Sequence, residues 1–360
     1  VCYFNRERWF PIIVFRELNE LRMTVFIDIF KILQIYYFIF IFMNEKKKLL
    51  VIALGGNALL DSKSKGTIEE REAASDQTAE QLIPLLKSPE YDVILTHGNG
   101  PQVGNLLIQQ EEGSSKVPPM PLDVCVAETQ GEIGYILQKS LQNEFEKHGI
   151  RKQTLALLTQ VMVDEKDHAF ENLTKPVGPY YTLEQTKDIL RTKSWKFKED
   201  PAGKGFRRVV ASPKPISIVQ KNIIHDLTNN GYIVICVGGG GIPVYHDSNG
   251  NLAGVEAVID KDLASSRLAI DLKADLFVIL TNVEQCYINF RKPNEIKLRD
   301  LNLDEATTYY DQGHFTAGSM GPKVQSVIEF VQNTGNNAII THIEKLLDAI
   351  ENKAGTLIHQ

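Results

Sequence analysis

Three glycine loops, each directly after a short apolar run, constrain this chain more than any other feature. Leu49-Leu50-Val51-Ile52-Ala53-Leu54 leads into Gly55-Gly56-Asn57, Tyr91 to Thr96 into His97-Gly98-Asn99-Gly100, and Tyr232 to Val237 into Gly238 to Gly241. The first run has no polar alternation, the pattern of a strand buried on both faces. Thr67-Ile68-Glu69-Glu70 is a capping box that opens a helix running to about Lys87. A second helix follows the Gly98–Gln102 loop, and Glu128 to His148 is a long amphipathic helix. Thr154 to Leu158, Leu276 to Leu280 and Asn337 to Thr341 supply further strands. Strand, loop and helix in repetition predict a parallel sheet covered by helices on both faces. Residues from about His168 to Pro215 break this rhythm, being rich in Lys, Pro, Gly and aromatics. A structureless loop of that length does not suit a compact domain. The segment is expected to be a small subdomain projecting from the sheet, a mobile lid over the site.

In an open parallel sheet, ligands bind beyond the carboxyl ends of the strands. The glycine loops fall at such ends. Glycine lets the backbone approach a phosphate, successive N–H groups form an anion nest, and a following helix N-terminus adds partial positive charge. Neither common nucleotide fingerprint is present. Gly98 and Gly100 begin a dinucleotide pattern but Val103 stands where its third glycine belongs, and no Gly-x-x-x-x-Gly-Lys-Ser/Thr occurs. A Rossmann dehydrogenase and a P-loop ATPase are disfavoured. Two lysines add to the loops. Lys261 lies between Asp260 and Asp262, just downstream of Gly238 to Gly241, and carboxylates that hold it charged suit a point charge meant for a phosphate. Asp262 itself is expected only to favour a helix start. Lys323 follows Gly318-Ser319-Met320-Gly321-Pro322 at a first helical turn, where a cation opposes the dipole. That cost suits a ligand-facing lysine. His97 is expected to shape its loop rather than transfer protons, and Arg207-Arg208 to form a solvated or lid face.

The formal net charge of −6 and the absence of a long basic run speak against nucleic acid as a partner. Cys2, Cys125, Cys236 and Cys286 form no Cys-x-x-Cys pair and no zinc spacing, which fits a reducing compartment and no metal cage. Residues 1–42 stand apart. Eight of the sixteen phenylalanines lie there, and Ile32 to Met43 is an apolar run shorter than the ~20 residues of a membrane helix. With Met43-Asn44-Glu45-Lys46 reading as a natural start, this leader is expected to be upstream read-through sequence or a weak membrane anchor.

Val51 to Leu59 (VIALGGNAL), Thr96 to Gly104 (THGNGPQVG), Thr174 to Tyr181 (TKPVGPYY), Gly254 to Ala264 (GVEAVIDKDLA) and Gly313 to Lys323 (GHFTAGSMGPK) together resemble the motifs of the carbamate kinases, within the amino-acid-kinase fold family. The resemblance covers about Lys48 to Gln360. It implies an α/β fold: a three-layer α/β/α sandwich with a largely parallel central sheet, two lobes and a small projecting subdomain. The lobe at 43–231, carrying the lid at about 168–215, is implied to hold carbamate, and the lobe at 232–360 the nucleotide. The implied reaction is ATP plus carbamate giving ADP plus carbamoyl phosphate, with Mg2+, run towards ATP at the end of arginine breakdown. A cytoplasmic homodimer is implied, with neither nucleic acid nor membrane as partner. Catalytic roles fall by resemblance on Lys175, Lys261 and Lys323, ordered by Asp260. Substrate binding falls on Gly55, Gly56, Asn57, Gly98, Asn99, Gly100, Gly239 and Gly240, and nucleotide binding on Thr281, Asn282, Met320 and Gly321. Related acid kinases often carry a lysine where this chain has Ala53; the resemblance implies that Lys175 supplies that charge. Asn282 departs from a usual Asp, Val126 from a usual Gly, and Glu128-Thr129 from a usual Met-Ser. The alternatives are a sister acid kinase, such as one acting on acetylglutamate, and a nucleotide-binding sensor without turnover.

Overall fold

The non-alternating run at Leu49 becomes β1 (Lys48–Leu54), buried from Leu50 onward and hydrogen-bonded on both sides. The computed structural model describes residues 47–56, 66–200, 203–315 and 320–360. The expectations for the leader, for Asn57 and for the turn at Gly318-Ser319 lie outside these residues. Along the chain β1 is followed by β2 (Tyr91–His97), β3 (Thr154–Ala156), β4 (Gln160–Met162), β5 (Lys175–Tyr181), β6 (Lys196–Glu199), β7 (Phe206–Val210) and β8 (Ser217–Ile218). Then come β9 (Ile233–Cys236), β10 (Ile242–His246), β11 (Leu252–Gly254), β12 (Leu276–Leu280), β13 (Cys286–Ile288), β14 (Ile296–Leu298), β15 (Asp300–Asn302), β16 (Asn337–Thr341) and β17 (Thr356–His359).

Eight strands form the main sheet in the order β15-β17-β16-β12-β1-β2-β9-β3. Every neighbouring pair is parallel except β16 with β17. The two faces of β1 show why its sequence does not alternate. Leu50, Ile52 and Leu54 point into one core, against Leu82 and Leu86 of helix Ile68–Lys87 and Leu137, Leu141 and Phe145 of helix Leu122–His148. Val51 and Ala53 point into the other, against Ala264 and Leu268 of helix Lys261–Asp271 and Val324, Val327 and Phe330 of helix Met320–Thr334. Helices on both faces of a mostly parallel sheet make the expected three-layer sandwich. The helix at Ile68 begins with the capping box read from the sequence, Thr67 and Glu70 each bonding the other's backbone.

Some boundaries differ. The long helix starts at Leu122, six residues ahead of the expected Glu128, because Pro121 provides an extended entry and Leu122, Cys125 and Val126 continue its buried stripe. The expected strand over Thr154–Leu158 is only Thr154–Ala156. There Thr159 turns the chain, its N–H donating to Gln130 Oε1 at 2.8 Å. The arrhythmic segment forms a three-stranded antiparallel sheet, β5-β7-β6, with a short helix at Leu183–Ile189. Its ends meet: Lys214 N–H donates to Asp167 Oδ2 at 2.9 Å. Val177 and Val210 seat it on Val103, Leu122, Cys125 and Val126 of the body.

Candidate functional site

Strands β12, β1, β2 and β9 are adjacent and parallel, so their carboxyl ends share one edge of the sheet. Thr281, Gly55, Gly98 and Gly238 lie in the segments leaving that edge. Gly55 is required by a close approach, since a Cβ there would stand 2.4 Å from the Leu280 carbonyl oxygen. Gly238–Gly240 is a tight turn in which Val237, Gly239, Gly240 and Gly241 all have positive φ, of 52°, 66°, 91° and 87°. A Cβ on Gly239 would fall 2.2 Å from Asn99 Nδ2, and one on Gly240 2.3 Å from the Ile259 carbonyl oxygen. The turn is thus wedged between the second loop and the residues leading to Asp260. Gly56, Gly98 and Gly100 instead have open space where a Cβ would stand.

The expectation that a helix N-terminus backs each loop is corrected for the third. Gly241 leads into the strand β10, because Val161 and Thr159 press against Gly241 and β10 pairs with β4. The second loop feeds helix Gly100–Gly113 directly. Its N-cap Asn99 leaves the cap unfilled and donates from Nδ2 to Thr129 Oγ1 at 2.9 Å.

Asp260 is the N-cap of helix Lys261–Asp271, its Oδ1 accepting from Asp262 N at 2.9 Å and Leu263 N at 3.4 Å. Its other oxygen, Oδ2, accepts from Lys175 Nζ of β5 at 2.8 Å. Asp262, by contrast, joins the other two lysines: Lys323 Nζ donates to Oδ2 at 2.8 Å, and Lys261 Nζ lies 2.6 Å from Oδ1. That second contact is off the direction of a hydrogen bond, and Lys261 Nζ has no hydrogen-bond partner among the described residues. Exposures of 12%, 16% and 5% for the Lys261, Lys323 and Asp262 side chains put the triad largely out of water. Burial pulls the Lys261 ammonium below its ordinary range, helped by Lys323 and opposed by Asp262. For Asp262, burial pushes the carboxyl up, but Lys261 and Lys323 outweigh it and hold it well below the usual carboxylate range. Asp260 therefore orders one lysine and Asp262 the other two. The expectation that Asp262 only favours the helix start misses this bridge.

The lysine-bearing helices are locked together. Ser266 Oγ donates to the Ser326 carbonyl at 2.7 Å, linking helix Lys261–Asp271 to Met320–Thr334. Ser265 Oγ donates to the Lys261 carbonyl, so the 2.6 Å contact between Thr96 and Ser265 has Thr96 as donor, tying β2 to the same helix. Three cations against two carboxylates leave the cluster with one positive charge in surplus. Buried ion clusters cost desolvation and are weak contributors to stability. One left with surplus positive charge beside glycine loops is suited to meet an anion.

His97 is buried and neutral, its pKa lowered by burial to about 4 despite a contact with Gly98. Its Nδ1 lies 2.9 Å from the Gly98 carbonyl, so Nδ1 carries the proton and donates. This agrees with a loop-shaping residue. Gln130 was missed as a support: its Nε2 donates to the carbonyls of Gly238 at 2.9 Å and Thr159 at 3.1 Å, holding the glycine turn. Only the buried spacing of Cys125, Val126, Thr129, Gln130 and Ile133 hints at it in the sequence. Thr281, Asn282 and Met320 line one cavity of about 280 Å3 with Val283, Tyr287, Phe290 and Phe315 among its walls. Gly321 is buried in the first turn behind it. Among the described residues no cluster of three or more His, Cys, Asp or Glu could hold a metal, and no helix is long and apolar enough to cross a membrane.

Known proteins resemble the chain over the same residues. The family described as the amino acid kinase family matches residues 48–342. A carbamate kinase of Thermococcus kodakarensis is 47% identical over 313 residues, 86% of this chain and 99% of that protein. One of Trichomonas vaginalis is 45% identical over 311 residues, 86% of this chain and 98% of that protein. The solved carbamate kinase of Giardia lamblia bound to AMP-PNP superposes with a TM-score of 0.81 at 44% identity, covering 87% of this chain and 98% of that one.

Proposed function

We infer the reaction from the premise that the chain belongs to the amino acid kinase family and, within it, to the carbamate kinases. It is a phosphotransferase with a carboxyl-type acceptor, catalysing ATP plus carbamate to ADP plus carbamoyl phosphate and the reverse. The observation that carries the site is the Asp262 bridge, which holds buried Lys261 and Lys323 on the two oxygens of one carboxylate. In the forward direction a carbamate oxygen attacks the γ-phosphorus in line, the bond to the ADP oxygen breaks, and ADP leaves with the electron pair. No proton moves, because carbamate already carries its negative oxygen. Neutral His97 suits such a site, where no general base is needed. What the step does need is alignment of two anions and compensation of charge on the transferring group. Lys261 and Lys323 supply the compensation from a dry, fixed position, and Lys175 approaches from the subdomain through Asp260.

The glycine segments at Gly55, Gly98 and Gly238 receive the phosphate and carbamate, and the cavity beside Thr281, Asn282 and Met320 the adenosine. The AMP-PNP complex of the Giardia lamblia relative supports an adenine nucleotide as the substrate. Magnesium enters with the nucleotide, as substrate; Asp260 and Asp262 are already engaged by lysines. The proposal extends to a cytoplasmic homodimer working towards ATP in arginine breakdown. An apolar groove between β3 and helix Leu122–His148, where Tyr135 and Leu158 are exposed, supports association of two copies. The test is ADP release with ATP, Mg2+ and either carbamate or acetylglutamate. Turnover with carbamate alone is expected; turnover with acetylglutamate, or with neither, contradicts the reading.

A further inference from the structure

The projecting subdomain meets the body over a cavity of about 380 Å3 that the phosphotransfer reading does not use. Its apolar wall is made by Leu107, Met120, Leu122, Phe170 and Leu173, with the Trp195 ring at one side. Arg208 of β7 lies over this ring, its guanidinium carbon 4.2 Å from the centroid. The side chain is only 13% exposed, yet the nearest carboxylate, that of Glu256, stands 3.9 Å away and is 61% exposed. No hydrogen bond reaches the guanidinium among the described residues. A guanidinium has five N–H donors in a planar fork and keeps its charge, and none of the Arg208 nitrogens is both buried and unpartnered, so the fork is open to an acceptor entering the cavity. Burial pulls Arg208 below the ordinary guanidinium range. A simple latch between subdomain and body would pair it as Lys193 is paired, in an ion contact with Glu111 of helix Gly100–Gly113. Arg208 is left facing the cavity instead. Arg208, Lys193 and Lys196 against Glu111 and Glu256 leave the lining one positive charge in excess.

We propose that this cavity is a binding site for a small carboxylate with an apolar body, its carboxylate on the Arg208 fork and its body against the aliphatic wall beside Trp195, whose ring already carries Arg208 and Lys193. A forked guanidinium matches a carboxylate in two parallel hydrogen bonds, which Glu256 at its present distance does not supply. Residues from the subdomain and from the body both line the cavity, so an occupant bridges the two.

The chain has two tryptophans, Trp9 and Trp195, so intrinsic fluorescence reports on the cavity directly, with Trp195→Phe isolating the signal. The full chain, saturated with ADP to fill the nucleotide cavity, is titrated with acetate, hexanoate and benzoate, and with benzamide as the uncharged counterpart of benzoate. Saturable changes are expected for hexanoate and benzoate, at least about tenfold tighter than for acetate because more apolar surface is buried. Arg208→Met should abolish them, and Arg208→Lys, which keeps the charge and loses the fork, should weaken them. No saturable change with any carboxylate, an equal response to benzamide, or unchanged affinity in Arg208→Met would each overturn the proposal. The readout is binding at a cavity apart from Lys261, so its failure leaves the phosphotransfer reading standing.

Discussion

Asp260 and Asp262 differ by two positions in the chain but hold different lysines, and substitutions separate their roles. Asp260→Asn keeps a good N-cap but loses the charge facing Lys175, so its melting temperature should stay near that of the parent while turnover falls. Asp260→Ala should lose turnover and also about 1 kcal/mol of stability from the missing cap. Equal melting temperatures for the two variants would remove the capping role. Lys261→Ala should remain folded, as circular dichroism would report, and lose on the order of 10²–10³ in rate; near-normal turnover would take Lys261 out of the mechanism. His97 gives a pH prediction. Its pKa is lowered from 6.5 to about 4, so between these values the unfolded chain binds a proton that the folded chain refuses. Its contribution is therefore present above pH 6.5 and lost as pH falls towards 4, by about 3 kcal/mol in all. Denaturant midpoints measured against pH should show this slope, and His97→Asn should flatten it. Lys261 was legible because a lysine between two carboxylates is an uncommon local pattern, and Lys323 because it follows a glycine turn at a first helical turn. The Asp262 bridge was not, since its partner Lys323 is 61 positions away and only packing brings them together.

At the scale of elements, the site depends on two helices locked by serine hydroxyls and on a glycine turn that fits only without side chains. Gly239→Ala should be strongly damaging, since the new methyl meets Asn99 Nδ2 at 2.2 Å in a residue of φ 66°. Loss of turnover together with weakened carbamoyl phosphate binding is expected; unchanged kinetics would show that the turn is not part of the site. The subdomain can be tested as a unit, because Asp167 and Lys214 already touch. Removing residues 168–213 and joining those ends should abolish transfer and preserve ADP binding, at some cost in stability from uncovering the contacts of Val177 and Val210. Loss of both functions together would contradict a separable lid, and Lys175→Ala, which keeps the subdomain, checks the transfer loss independently. Apolar runs made six of the eight main-sheet strands readable in advance, and a capping box the helix at Ile68. The third loop misled because a glycine run before a helix and one before a strand look alike; here β4 pairing decides.

For the whole molecule, the sequence pattern carried the sheet because strands buried on both faces must be apolar throughout, as Leu50 to Leu54 are. The order of the strands was not readable: β9 lies between β2 and β3 only because helices of suitable length cross over the sheet. Nor was the neutral state of His97, which follows from burial that no local pattern records. The site's economy is a property of the assembled chain, since Lys175, Lys261 and Lys323 come from three separate elements and meet through two carboxylates. The most direct test is ATP formation by the full chain from ADP, Mg2+ and carbamoyl phosphate, followed by a luminescent ATP assay. Sustained ATP formation in proportion to carbamoyl phosphate consumed is expected. ADP binding with no ATP formed would contradict the phosphotransfer reading.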